Sequence, residues 1–385
     1  MENFSTGADC ASTLGCLKNL GAQWERNGGH VSIQGGELSP PATALDCGNS
    51  GSSMRMLSGI LAGQEFSSEL TGDDSLSRRP MARVITPLQV MGARIEARDG
   101  GRPPLRITGG RLRGIEYHMP VASAQVKSAL LFAGLFADGE TRVTEPVRTR
   151  DHGEVALRAF GAKVERDGDG VRIAGGQKLK SIDASVPGDI SSAAFFLCAA
   201  ALFPGAQLVL PGLLMNPTRA RLLDVLTSMG VRISVTQLEE QHGELVGTVQ
   251  AEGGELGGTT IAKADTAALI DEIPVLAAIA PYTAEGIEIR DAKELRVKES
   301  DRIAAVAANL RAMGAEVEER EDGLKIPGGQ WLHGAAIESF GDHRIAMAFA
   351  VAALRAQGET EISGADAAVI SYPGFFQDLE SLVER

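Results

Sequence analysis

The densest chemistry in the chain is the segment Arg296-Val-Lys298-Glu299-Ser-Asp301-Arg302, where cationic side chains stand on both sides of a carboxylate. Such a pattern can clamp an anion and tune the proton affinity of the acid between its neighbours; it equally describes a solvated salt-bridge cluster. Ser300 is expected to cap the helix that follows, which puts Arg302 just inside it. Asp271-Glu272 precedes Ile-Pro-Val-Leu-Ala-Ala, so two carboxylates stand at the mouth of an apolar helix. A general base there is shielded from water, and capping alone accounts for only one of the two. Gly341-Asp-His343-Arg344 opens another apolar helix. Its lone histidine reads as structural, whereas Arg344 at a helix start is a bidentate donor to an anion.

Nearer the N-terminus, Gly48-Asn-Ser-Gly-Ser-Ser offers Gly51, over which a ligand could approach the backbone, with Arg55 one turn along. Arg79 lies in Asp73-Asp-Ser-Leu-Ser-Arg-Arg-Pro, and Pro80 is predicted to take the first position of a helix, holding Arg78 or Arg79 beside its N-terminus. Ser123-Ala-Gln and Gly188-Asp-Ile-Ser-Ser have the same polar character. One such entrance is no more than an N-cap. Five in one chain favour anion binding by free backbone N–H groups at the positive ends of helix dipoles.

The elements that must position these groups repeat. Each polar entrance leads into an apolar body, as in Ala193-Ala-Phe-Phe-Leu-Cys-Ala-Ala-Ala and Ile345-Ala-Met-Ala-Phe-Ala-Val-Ala-Ala, which is predicted to be buried on all sides. A second kind of helix alternates with these and ends in a glycine followed at once by an alternating strand. Its copies end at Gly21, Gly92, Gly161, Gly230 and Gly314, spaced by 71, 69, 69 and 84 residues, too long for a solenoid unit. A glycine there lets the chain leave the helix through a left-handed conformation. Acidic, glycine-rich segments such as Arg166-Asp-Gly-Asp-Gly and Glu319-Arg-Glu-Asp-Gly mark hairpin turns. Phe375-Phe-Gln-Asp-Leu-Glu-Ser-Leu reads as a sixth copy cut by the chain end. Six glycine-type helices against five entrances imply a further entrance upstream of Met1. The expected architecture is α/β with two domains, 1–185 and 186–385, each of three β/α units with buried central helices. The boundary falls near Val186-Pro187, and the basic entrances are expected to face a cleft between the domains.

Bulk properties exclude several functions. A formal charge of -13 argues against nucleic acid or an anionic membrane as the main partner, while leaving room for a locally basic pocket. Cys10, Cys16, Cys47 and Cys198 lack paired zinc spacing and read as reduced thiols. The longest apolar stretch, Ala193 to Phe203, is about half of what a membrane crossing needs. Met1-Glu-Asn carries no basic, apolar leader, so the cytoplasm is the expected location.

Taken in order, Gly7-Ala-Asp-Cys, Gly48-Asn-Ser-Gly-Ser-Ser-Met-Arg, Ser77-Arg-Arg-Pro-Met, Ser123-Ala-Gln-Val-Lys-Ser-Ala, Arg150-Asp-His, Pro187-Gly-Asp-Ile-Ser-Ser-Ala, Asp271-Glu-Ile-Pro-Val-Leu-Ala, Lys298-Glu-Ser-Asp-Arg-Ile, Asp342-His-Arg-Ile-Ala-Met and Ser371-Tyr-Pro-Gly-Phe-Phe run from near the start to the C-terminus. This set resembles the 5-enolpyruvylshikimate-3-phosphate (EPSP) synthase family, 3-phosphoshikimate 1-carboxyvinyltransferases of aromatic amino acid biosynthesis, in its bacterial branch. The resemblance implies the two-domain enolpyruvyl transferase fold. It also implies transfer of the enolpyruvyl group of phosphoenolpyruvate to the 5-hydroxyl of shikimate 3-phosphate, with release of phosphate. By resemblance, Gly51, Arg79, Gln125, Arg302 and Arg344 hold phosphoenolpyruvate, and Ser123, Gln125, Asp271 and Lys298 hold shikimate 3-phosphate. Asp271 takes the hydroxyl proton and Glu299 serves the methylene carbon. No metal or organic cofactor is implied, and the expected partners are the two substrates alone, with the protein a monomer.

The resemblance also implies a Lys-Ser pair and an Arg that would precede this chain's first residues, so the chain as it stands is expected to turn over slowly. Gly153 stands where a hydroxyl residue is usual after Asp-His, and Ile370 where some members carry a lysine. Two other readings are a remnant that only binds shikimate 3-phosphate or a protein partner, and a sister enolpyruvyl transferase acting on a UDP-sugar. The latter family uses a reactive cysteine in a mobile loop, and none of the four cysteines falls in such a loop.

Overall fold

In the computed structural model, which describes residues 1–383, the two helix types carry two different strand arrangements. The helices are α1 (Ala8–Asn19), α2 (Gly51–Ala62), α3 (Ala82–Met91), α4 (Ala124–Gly134), α5 (His152–Ala159) and α6 (Ile190–Ala201), followed by α7 (Arg221–Ser228), α8 (Ala264–Ala268), α9 (Ile273–Ile279), α10 (Arg302–Ala312), α11 (His343–Ala353) and α12 (Phe375–Leu382). After α1, α3, α5, α7 and α10 the chain turns through Gly21, Gly92, Gly161, Gly230 and Gly314, all with φ between 89° and 116°. L-residues avoid this region, so glycine ends each helix. At Gly230 space adds to torsion, since a Cβ would sit 2.4 Å from the Glu255 carbonyl oxygen. Each of these turns feeds an antiparallel hairpin, such as Arg94–Arg98 with Arg102–Thr108 and Val164–Asp167 with Gly170–Ala174.

The apolar helices sit inside parallel crossovers. Leu45–Asp46 and Ser67–Thr71 flank α2, and Glu116–His118 and Glu140–Thr144 flank α4. Thr259–Ile261 and Ile287–Ile289 flank α9, and Ala336–Glu338 and Glu361–Ser363 flank α11. A parallel bridge between Gly188 and Leu213 brackets α6 in the same way. Every polar entrance therefore follows the carboxyl end of a parallel strand or bridge, the place where open α/β folds present ligand-binding loops.

Two compact units result, Met1–Val186 and Pro187–Arg385. In the first, Leu45, Met54, Leu61, Leu70 and Leu88 are among the fully buried side chains of a core around α2 and α4. In the second, α9 is buried along its whole length and α11 is buried except at Arg344 and Ala353, which are partly buried. There Phe195 of α6 meets Phe375 of α12 edge to face and Phe196 meets it at a tilt, with ring centroids 5.6 and 5.7 Å apart. Among the described residues, no helix is long and apolar enough to cross a membrane.

Two expected helix starts are corrected. Pro80 does not open α3: Met81 is its N-cap and Ala82 its first residue. Met81 is fully buried and donates its N–H to the Gly101 carbonyl at 2.8 Å, a tertiary contact that holds it outside the helix. Ser300 does not cap α10; Asp301 does, accepting from the Ala304 N–H at 3.0 Å.

Candidate functional site

In the second unit, three helix entrances bring their charges onto one carboxylate. Asp271, just ahead of α9, receives Lys298 Nζ and Arg302 Nη1, each at 3.3 Å from Oδ1. Arg344, the second residue of α11, donates from Nη1 to the Asp271 carbonyl oxygen at 2.7 Å. Arg302 is the organising group. Its guanidinium, only 1% exposed, donates from Nη2 to Glu299 at 2.6 Å and from Nε and Nη2 to the two oxygens of Asp342 at 2.8 and 3.2 Å. Burial alone would lower its proton affinity, but the charges of Asp342, Glu299 and Asp271 hold it firmly protonated. Lys298, Asp271, Glu299, Arg302 and Arg344 thus form one cluster.

Asp342 is the member that sequence reasoning did not assign. It caps α11 by accepting from the Arg344 N–H at 2.9 Å, takes the Ser300 hydroxyl at 3.0 Å and is fully buried. Burial would raise its carboxyl, but Arg302 keeps it below its ordinary range. A signal was present: an Asp at a helix start followed by an Arg that must face an anion. The hydroxyl expected to cap α10 is spent on this carboxylate instead. His343 is buried beside it, and burial, then the charge of Arg344, push its imidazole down to about 4. It is a neutral ring at ordinary pH, in keeping with a structural role.

Glu272 turns away from this cluster. It is 1% exposed and accepts from the hydroxyl of Ser191 on α6, which in turn takes Arg219 Nη2 at 2.6 Å. Of the two carboxylates before α9, only Asp271 reaches the basic group.

The first unit gathers a second polar group. Ser50 caps α2, placing Gly51 at its first position, and a Cβ on Gly51 would lie 2.8 Å from Arg55 Nη1 and 3.4 Å from Arg79 Nη1. The bare backbone there is thus flanked by two guanidinium groups. Arg79 is held by Asn49 Oδ1 at 2.7 Å and Ser75 Oγ at 3.1 Å. Arg55 donates to Gln125 Oε1 at 2.7 Å, and Gln125 Nε2 donates to Ser52 Oγ at 2.6 Å. Gln125 lies in the first turn of α4, whose N-cap is Ser123, accepting from the Val126 N–H at 3.4 Å. Gly51, Arg79 and Gln125 therefore meet, with Ser123 at the same helix end. Arg55 and Ser52 complete the group, and the one-turn spacing from Gly51 to Arg55 was its sequence signal.

No cysteine presents an exposed loop thiol. Cys16, Cys47 and Cys198 are buried. Cys10 lies in α1, where burial and then Asp9 push its thiol up to about 11.

Comparison with known proteins gives these groups a context. The EPSP synthase (3-phosphoshikimate 1-carboxyvinyltransferase) family profile matches residues 1–379. The chain is 64% identical to the 3-phosphoshikimate 1-carboxyvinyltransferase of Koribacter versatilis (strain Ellin345), over 100% of this chain and 90% of that protein. It is 55% identical to the enzyme of the same name from Solibacter usitatus (strain Ellin6076), over 99% of this chain and 90% of that one. Among solved structures, EPSP synthase from Acinetobacter baumannii superposes with a TM-score of 0.85 at 43% identity, covering 98% of this chain and 88% of that one. With a match over nearly its whole length and the paired α/β architecture already described, the chain belongs to the EPSP synthase family.

Proposed function

We propose that the chain is a transferase of the shikimate pathway that joins the 5-hydroxyl oxygen of shikimate 3-phosphate to C2 of phosphoenolpyruvate and expels phosphate. The observation that carries the assignment of roles is the Arg302 guanidinium, which holds Asp271 through Nη1 and Glu299 through Nη2. Two carboxylates fixed on one cation, with Lys298 and Arg344 beside them, suit a reaction that needs a base, an acid and anion binding together.

In the addition step, Asp271 takes the 5-hydroxyl proton as the oxygen bonds to C2, and Glu299 delivers a proton to the methylene carbon, giving a tetrahedral intermediate. In the elimination step, the C2–O bond to phosphate breaks, the phosphate leaves with the proton that Asp271 had taken, and Glu299 recovers a proton from the methyl carbon, restoring the double bond. Lys298 and Asp271 hold shikimate 3-phosphate, as do Ser123 and Gln125. Arg302 and Arg344 hold phosphoenolpyruvate, as do Gly51, Arg79 and Gln125. The protein acts as a monomer in the cytoplasm on these two small anions, without a metal or organic cofactor.

The test is steady-state phosphate release by Asp271→Asn and Glu299→Gln. Removing a positioned acid or base is worth about 10²–10⁴ in kcat, with KM for phosphoenolpyruvate changing far less. Parent-like turnover in both variants refutes the two roles.

A further inference from the structure

Beneath the first turn of α4 lies a cluster of charges that the proposed chemistry does not use. Lys127, two residues after Gln125, places Nζ 3.0 Å from Glu145 Oε2 and 2.8 Å from Glu154 Oε1, with all three side chains 1% exposed. Arg166 closes the square, with Nη2 2.8 Å from the same two oxygens. Two cations and two carboxylates balance. Burial alone would raise the Glu145 carboxyl, but bonds from Thr149 and Arg166 and the charge of Lys127 hold it low.

The members come from four different elements: α4, the end of strand Glu140–Thr144, α5 and strand Val164–Asp167. Glu145 Oε1 turns to the loop before α5, accepting from the Thr149 N–H at 3.0 Å and also from its hydroxyl. On the other side of the square, α5 lies so close to α4 that a Cβ on Gly153 would stand 2.5 Å from Ser128 Oγ.

Buried ion pairs contribute little net stability, because desolvation offsets their attraction; apolar groups of equal volume often do as well. What they supply is direction: each N–H···O bond fixes an angle that a methyl contact leaves free. We propose that Lys127 is a positioning residue for shikimate 3-phosphate, locking the loop 146–151 and α5 onto the end of α4 that carries Ser123 and Gln125. This rests on the assignment of those two residues to that substrate.

The test is the neutral double variant Lys127→Met/Glu154→Gln, which removes one charge of each sign and leaves the Arg166–Glu145 pair. KM for shikimate 3-phosphate should rise about tenfold with kcat changed less than about threefold, while the thermal midpoint stays within a few degrees. Hydrogen exchange at the Thr149 amide should accelerate. A folded double variant with parent KM and a protected Thr149 amide overturns the proposal. If that variant does not fold, Thr149→Val decides, since it removes only the hydroxyl donor at the open edge: a rise of about threefold in the same KM supports the proposal and an unchanged KM overturns it. Ser123→Ala separates the two claims. An unchanged KM in that variant defeats the substrate assignment, whereas the Thr149 amide reports on the lock itself.

Discussion

Asp342→Asn isolates one charge in the densest part of the second unit. Lys298, Arg302 and Arg344 are balanced there by Asp271, Glu299 and Asp342, and Asn keeps an oxygen for the Arg344 N–H that Asp342 caps. The substitution leaves a fully buried guanidinium with one carboxylate fewer. Breaking a buried pair from one side costs about 3–5 kcal/mol. In a unit of this size about 2–4 °C of thermal midpoint goes with each kcal/mol, so a fall of about 6–20 °C is expected by calorimetry at neutral pH. The pH dependence has a definite sign. The Asp342 carboxyl lies below its ordinary value of 3.8, so its contribution is complete above that pH and lost as the pH falls through the lower folded value. The gap between parent and variant must therefore be flat at neutral pH and narrow only below 3.8. A midpoint within about 2 °C of the parent, or a gap that begins to close near neutrality, would refute the argument.

Two further outcomes test other parts of the molecule. The His343 imidazole is depressed from 6.5 to about 4, so the folded state loses stability as the pH falls from 6.5 toward 4. His343→Asn should remove that decline, on the order of 3 kcal/mol in urea unfolding, and the parent ring should show no NMR titration between about pH 5 and 8. Gly153→Ser should destabilise the first unit by about 1–3 kcal/mol through its clash with Ser128, and adding Ser128→Gly should recover most of the loss in thermal unfolding.

Much of the architecture was legible because it rests on local rules. A positive φ admits few residues but glycine, so the helix ends at Gly21, Gly92, Gly161, Gly230 and Gly314 could be read directly, and the hairpins with them. The entrances capped by Ser50, Ser123, Asp189 and Asp342 follow the same logic. Where a tertiary contact competed, local rules gave the wrong answer. Met81 is held by Gly101, so Pro80 falls outside α3; Ser300 is drawn to a carboxylate 42 residues on, so Asp301 takes the cap. Glu272 looked equivalent to Asp271, and only the position of Ser191, 81 residues earlier, distinguishes them. Asp342 and Arg55 escaped assignment for the same reason, since their partners Arg302 and Gln125 lie 40 and 70 residues away. The departure at Gly153 also has a spatial account: Ser128 Oγ stands where a side chain at 153 would begin.

The Arg302 guanidinium has five N–H donors, and bonds to Asp342, Glu299 and Asp271 already engage Nε, Nη1 and Nη2. Those four bonds leave a single N–H, on Nη1, for an anion, which meets a charge already shared with three carboxylates. An anion that takes more than this one bond must displace a resident carboxylate, and its affinity is then the difference between two similar ion pairs. A carboxylate so displaced has lost its counter-ion and binds a proton more readily, so by reciprocity pH acts on that affinity as strongly as the anion acts on the protein's protonation.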